Sequence, residues 1–308
     1  MSGSKIIVCS HKKDFVLESE LYMPLHVGKA NTNVDLGFQG DDTGDNISEK
    51  NPNYCELTGL YWAWKNLKDV DYVGLCHYRR YFDFGKYPCG SFDMRSFSED
   101  DFKRYASTFC NPINVLEGYD VILPRGYVMS HSVADAFCGA HVMDDFYILM
   151  RCMVKLYPDM KENMEEFFFK TNRWVGYNMF FAHKKWADDY CSWLFSILDE
   201  VSKYIKISEY AFQKRVFGFF SEMLLPLYCR HYGMRVKHLP LCMIADRTTP
   251  NNCFKHILLN MRLQFRFSVC KPRRNVDCLG LNNHIDGWFK IDGINILDTE
   301  KWKILKKK

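Results

Sequence analysis

An α/β fold built on a parallel sheet is the architecture this sequence predicts, and three observations predict it. Short apolar runs of strand length recur at residues 5–10 (KIIVCS), 72–76 (YVGLC) and 119–124 (YDVILP), as buried strands of a parallel sheet do. Segments with helical spacing alternate with them, most clearly at residues 54–67 and 184–202. The length of 308 residues suits one large α/β domain with an extension or two unequal domains. The expected division is a main domain over 1–245 and a helical, basic extension over 246–308.

Residues 5–10 form the first expected strand, and its carboxyl edge opens into His11, Lys12 and Lys13. That is the place of the first loop of a β–loop–α unit, where a nucleotide is touched, although the phosphate-cradling GxGxxG is missing. His11 is therefore either a contact to a base or phosphate or an incidental loop histidine. Residues 28–53 are rich in Gly, Asn and Asp and lack periodicity, so a long loop is expected. Asp41, Asp42 and Asp45 within it read as cation ligands or, more simply, as turn residues. Residues 54–67 carry apolar side chains at 57, 60, 61, 64 and 67, a stripe that belongs in the core. Glu56 and Thr58 stand in the first turn of that helix, to cap it or to meet a ligand.

The run from Asp71 to Phe84, DYVGLCHYRRYFDF, starts as a buried strand and ends in His77, Tyr78, Arg79 and Arg80. A strand that carries two guanidinium groups and an imidazole to one sheet edge puts fixed positive charge where α/β proteins bind ligands. Arginine forks match phosphate oxygens in pairs, so a phosphorylated ligand is expected. The alternative is a surface arginine pair salt-bridged to nearby acids.

Downstream, residues 96–109 read as a polar helix and 119–124 as a strand. Residues 134–149 read as a helix in which His141 shares a face with Asp144 and Asp145, either as an acid/base group or as ordinary surface charge. Residues 167–169 and 174–182 form a second strand-like block with Asn178 among apolar neighbours; its buried amide must be bonded to backbone or to a ligand. Residues 184–202 make an amphipathic helix with Trp186, Tyr190, Trp193 and Leu194 on its core side. Residues 210–228 give another helix, where Glu222 lies in an apolar run with Arg215 two turns earlier. Such a carboxylate is either paired with the arginine or has the raised pKa of a general base. Residues 236–241 close the sheet, and 251–267 suggest a helix with Lys255, Arg262 and Arg266 on a basic face.

Composition narrows the classes. Hydrophobic residues make up 47% and charged residues 25%, ordinary for a soluble globular protein, while aromatics at 16% leave some for stacking on flat ligands. The net charge of +4 hides an asymmetry: residues 255–308 hold 12 Lys/Arg against 5 Asp/Glu, and the preceding chain holds 29 against 32. The basic, aromatic tail with Trp288, Phe289 and Trp302 is either a segment that meets anionic lipid or polymer at a membrane interface or a merely solvated end. Nucleic-acid binding is disfavoured by the acidic body and by the lack of a basic-aromatic module. Thirteen cysteines, an odd number scattered singly with no CxxC, suit a reducing cytosol and suggest no zinc site. No signal-peptide or spanning apolar run is evident, so a cytoplasmic protein, at most peripheral at the inner face of the membrane, is expected.

In two blocks, DNISEKNPNYCELTGLYWAWKN and DYVGLCHYRRYF, the chain resembles bacterial glycosyltransferases of capsular and exopolysaccharide gene clusters, long described only as a domain of unknown function. YNMFFAHKKWADDYCSWLF and RVFGFFSEMLL are similar to the same group's later pattern, so the resemblance spans about residues 5–240. It implies a GT-A-like, Rossmann-related fold with a mixed, mostly parallel central sheet. It also implies a hexosyltransferase that takes a UDP-sugar, with galactofuranose or galactose the best specific expectation. A glycan acceptor on a lipid diphosphate at the inner membrane surface is expected as partner. Most GT-A enzymes carry an Asp-x-Asp motif after a central strand to hold a metal; here His77-Tyr78-Arg79-Arg80 stands in that place. Arginines can stabilise a leaving diphosphate as a metal does. The expectation is a reaction needing no cofactor, with His77, Arg79, Arg80, His11, Asn178 and Arg215 on the donor, and Asp83 as ligand should Mn2+ or Mg2+ be used. Glu222 is the first candidate for the base, followed by Asp144, Asp145 and His141. The competing class is a sugar-nucleotide or phosphoglycan binding protein without turnover.

Overall fold

The computed structural model describes residues 3–86 and 94–245, together with Leu258, Met261, Arg262 and Phe265, which are helical. The first half of the chain runs β1 (Ser4–Ser10), β2 (Tyr22–His26), α1 (Asn51–Tyr54), α2 (Leu57–Asn66), β3 (Tyr72–His77), β4 (Arg80–Phe82), β5 (Met94–Phe97), α3 (Glu99–Ala106) and α4 (Pro112–Leu116). The second half runs β6 (Val121–Pro124), β7 (Tyr127–Val128), α5 (Val133–Ala140), α6 (Met143–Leu156), α7 (Lys161–Lys170), β8 (Arg173–Trp174), β9 (Phe180–His183), α8 (Lys184–Ser202), α9 (Val216–His231), β10 (Val236–Leu239) and β11 (Leu241–Ile244).

The sheet follows the order β2-β1-β3-β9-β6-β10. Five of these strands run parallel, and β9 alone is antiparallel between β3 and β6. A second branch leaves β3 through the β3–β4 hairpin and continues into β11 and β5. The fold is therefore α/β with a mixed, mostly parallel sheet.

Alternation along each strand divides the core in two. On β1, Ile7 and Cys9 face one cluster while Ile6 and Val8 face the other; on β9, Phe180 and Ala182 oppose Phe181. Helices cover the first face and the β4–β11–β5 branch with α3 covers the second, which explains why these strands read as unbroken apolar runs rather than alternating ones. Phe180 and Phe181 are both 0% exposed, and each such ring contributes on the order of 1.5–3 kcal/mol of burial.

One close approach fixes α2 against the sheet. A Cβ on Gly59 would lie 2.8 Å from both Cys9 Sγ and Val27 Cγ1, so only glycine lets the helix sit down on β1 and the end of β2. Gly59→Val is expected to destabilise the protein by about 1–3 kcal/mol through overpacking, read as a lower urea midpoint at unchanged slope.

Several expectations are corrected. No helix follows β1: residues 11–21 run irregularly to β2, because Phe15, Val16 and Leu17 are consecutive and pack on the second core instead of forming a helical stripe. The 167–169 run belongs to α7, where Met164, Phe167 and Phe168 share its buried face. Residues 134–149 form two helices, broken at His141, whose extended backbone ends α5, and Val142. The helix over 210–228 starts at Val216 after a single 3-10 turn, Gln213–Arg215, and runs to His231 through Pro226. The strands β2, β4, β5, β7 and β11 were not foreseen. The proposed extension 246–308, apart from the four helical residues named above, lies outside the described residues.

Candidate functional site

A cavity of about 540 Å3 opens at the carboxyl ends of the parallel strands β1, β2 and β3, where open α/β sheets place their ligands. Those strands supply Cys9, His11, Val27, His77 and Tyr78, and β4 supplies Arg80. The opposite wall comes from the α1–α2 joint (Asn51, Cys55, Glu56), from Tyr177 ahead of β9, from Lys214 and Arg215, and from Glu222 on α9. A second cavity, about 470 Å3, lies at the other end of the sheet beside Tyr72, Asp120 and Met234 and holds none of the candidate catalytic or donor-binding residues.

The hairpin β3–β4 separates the two arginines, since Arg79 stands in its turn and Arg80 opens β4. Arg80 lines the cavity, its guanidinium 4.7 Å from the Tyr177 ring centroid, with a buried Nε that has no protein partner. Arg79 turns outward, where its Nε and Nη2 donate to Asp14 Oδ2 at 3.1 and 2.7 Å. The structure thus divides the expected pair: one arginine faces the cavity, the other a half-buried acid, Asp14. His77 donates through Nε2 to the Tyr177 carbonyl at 2.6 Å, tying β3 to the turn before β9. His11 packs edge-on against Tyr78 at 5.6 Å, and burial, then Lys12 and Arg215, hold its pKa below the usual value.

Arg215 reaches the cavity from the 3-10 turn, and its Nε donates to Cys55 Sγ at 3.2 Å. Lys214 is anchored through its carbonyl, which accepts from Asn53 Nδ2 at 2.9 Å. The lining therefore carries three side-chain cations, Arg80, Lys214 and Arg215, against two carboxylates, Glu56 and Glu222.

Glu222 is pushed up to about 7, by burial first and by the negative charge of Glu56 second; the Tyr177 N–H, the Trp174 indole and Arg215 oppose the rise. The Tyr177 amide donates to its Oε1 at 3.0 Å. Asn178 is 3% exposed and lies behind the lining, donating through Nδ2 to Glu56 Oε1 at 2.6 Å and to the Gly218 carbonyl at 3.1 Å. Of the two outcomes left open for this buried amide, the bond to backbone is seen, and its second partner is a cavity side chain.

His141, Asp144, Asp145 and Asp83 are not brought to the cavity. His141 ends α5, bonds Gln213 Oε1 through Nδ1 at 3.0 Å and stacks on Phe219, while Asp144 and Asp145 begin α6. The expected shared face of one helix is lost with the break at residues 141–142. Asp83 is buried and its Oδ1 accepts from the Gly85 amide and the Tyr105 hydroxyl, a turn-holding role. Asp41 likewise binds the Gly28 and Lys29 amides and the Ser48 hydroxyl, as a turn residue does. Lys214 and Tyr177 were not foreseen: a lysine among polar residues and a tyrosine in an aromatic-rich block carry no signal of their own.

Comparison with known proteins places the chain as follows. The family described as "Domain of unknown function (DUF4422)" matches residues 5–233. No curated protein matches. The apo structure of the WbbM bifunctional glycosyltransferase is similar over 81% of this chain, with 33% identity and a TM-score of 0.74. This chain spans 46% of that protein's chain.

Proposed function

The chain belongs to the DUF4422 family, and from that premise we propose that it is a glycosyltransferase that moves a sugar from a UDP-sugar to a glycan acceptor. The solved glycosyltransferase that shares its fold supports the reaction class. Galactose or galactofuranose is the donor sugar of this reading, and a growing capsular or exopolysaccharide glycan on a lipid diphosphate is the acceptor. Work at the inner face of the membrane follows from such an acceptor and from the basic tail. Among the described residues no helix is long and apolar enough to cross a membrane.

The observation that carries the reading is the cavity lining: Arg80, Lys214 and Arg215 surround a space that also holds Glu222. In the proposed reaction the arginines and lysine stabilise the charge that builds on the departing diphosphate, a task that fixed cations perform without reorganising. Glu222 takes the proton of the attacking acceptor hydroxyl, and a carboxyl group with a pKa near the working pH is suited to that exchange. His77 holds the Tyr177 turn in place and His11 lies at the cavity mouth beside Tyr78. The protein's cations replace a metal in this scheme.

Incubation of the purified chain with UDP-galactose or UDP-galactofuranose and a glycan acceptor tests the reading through release of UDP. Turnover is expected to persist in EDTA. Loss of activity in EDTA with recovery on adding Mn2+ rejects the metal-free scheme alone. Tight binding of the nucleotide sugar with neither transfer nor hydrolysis makes the protein a binder without turnover.

A further inference from the structure

Three non-glycine residues among those described have positive φ: Cys55 at 53°, Tyr177 at 77° and Asn178 at 51°. Cys55 and Tyr177 line the one cavity, and Asn178 lies behind its lining, bonded to Glu56. Left-handed backbone costs a side-chain-bearing residue on the order of 1–3 kcal/mol and persists where its surroundings over-determine it. The surroundings here are two carboxylates. Cys55 is the joint between α1 and α2 and immediately precedes Glu56. Tyr177 holds Glu222 by its amide, and the next residue, Asn178, holds Glu56 by its side chain. Asn178 is further tied to the Gly218 carbonyl of α9, the helix that carries Glu222, while its Oδ1 is buried without a partner.

We propose that Glu56 is a positioning residue for the transfer, held beside the same cavity as Glu222 by the Tyr177–Asn178 turn so that its carboxylate acts on that of Glu222. The inference rests on the transferase reading for its chemistry and on the turn for its geometry. The negative charge of Glu56 resists ionisation of Glu222, so Glu222 exchanges its proton near neutrality instead of remaining a spent, fully ionised surface acid. In the transfer step the acceptor oxygen bonds to the sugar's anomeric carbon as the bond from that carbon to the diphosphate oxygen breaks. The bonding pair leaves with the nucleoside diphosphate, and the acceptor's proton passes to Glu222, then to solvent.

Other groups act on Glu222 from every side. Glu56 and Cys55 come from the α1–α2 joint, Arg215 from the turn before α9, and Tyr127 from β7. The Trp174 indole and Tyr177 amide donate to it, and Arg80, Lys214, His11 and His77 line the same cavity. Of the charged groups that oppose its ionisation, Glu56 is the largest named contributor after burial.

Carboxyl 13C NMR titration of the full chain, with the Glu222 signal identified by its loss in Glu222→Gln, measures the coupling without substrate. Glu56→Gln is expected to lower the Glu222 midpoint by about one pH unit, a tenfold weaker hold on the proton. The acid limb of turnover with UDP-galactose should move down with it. Asn178→Ala, which frees Glu56, should shift the midpoint the same way, and Glu56→Asp should restore it. An unchanged or raised midpoint in Glu56→Gln, or in Asn178→Ala if the first variant does not fold, overturns the pairing. A lowered midpoint in a chain that transfers no sugar supports the pairing and removes the transferase reading instead.

Discussion

Glu222→Gln is expected to lower turnover by about 10^2- to 10^4-fold, the contribution of a positioned general base. The amide keeps the shape of the side chain and an oxygen to accept the Tyr177 N–H, so what is lost is the proton acceptor. In the wild-type protein, turnover should climb as pH rises toward about 7 and then level, because the proposed base, Glu222, acts in its ionised form. The variant should lose that limb. Near-normal turnover in Glu222→Gln would remove the assignment. Stability gives an independent reading of the same group. A carboxyl raised in the folded state from 4.5 to about 7 binds its proton more tightly folded than unfolded. Its favourable contribution is complete below about 4.5 and is lost as pH rises through about 7. The melting temperature of Glu222→Gln relative to wild type should therefore rise across that window.

Arg80→Ala should lower kcat/KM for the sugar nucleotide by about 10^2- to 10^3-fold, the usual cost of removing one fixed donor from a developing oxyanion. Arg79→Ala should change it by no more than a few-fold, since that side chain, 49% exposed, is engaged by Asp14. An exposed pair of this kind contributes about 0–1 kcal/mol to stability. Lysine at position 80 should recover little, because a planar guanidinium stacks on Tyr177 and an ammonium does not. Equal losses at both positions would contradict the division that the hairpin makes. Isothermal titration with UDP separates weaker ground-state binding from a slower chemical step.

The sheet was readable because its central strands are covered on both sides. YVGLC and KIIVCS could be little else, and the stripe over residues 184–202 matches α8 residue for residue. Where the pattern was ambiguous the reading failed for identifiable reasons. Phe167 to Phe169 suits a strand by composition, and only packing of Met164 with Phe167 and Phe168 makes it helical. At the site, Arg80 and Glu222 carry chemistry that a reader of sequence notices. Which of two adjacent arginines faces inward depends on where β4 begins, and no periodicity fixes that. Glu56 and Asn178 were each noticed, yet their contact spans 122 residues and follows only from the strained turn that joins them to the same cavity.

The cavity's walls come from widely separated parts of the chain, and this bears on how the protein is made. Asn53 meets Lys214 and Cys55 meets Arg215 across 161 and 160 residues. Contacts of such reach form late, after the cost of closing long loops has been met. During synthesis, a polypeptide still short of α9 lacks both the turn bearing Arg215 and the helix bearing Glu222. The emerging chain can therefore assemble β1–β3 on the ribosome, but the cavity gains its opposite wall only once α9 has emerged.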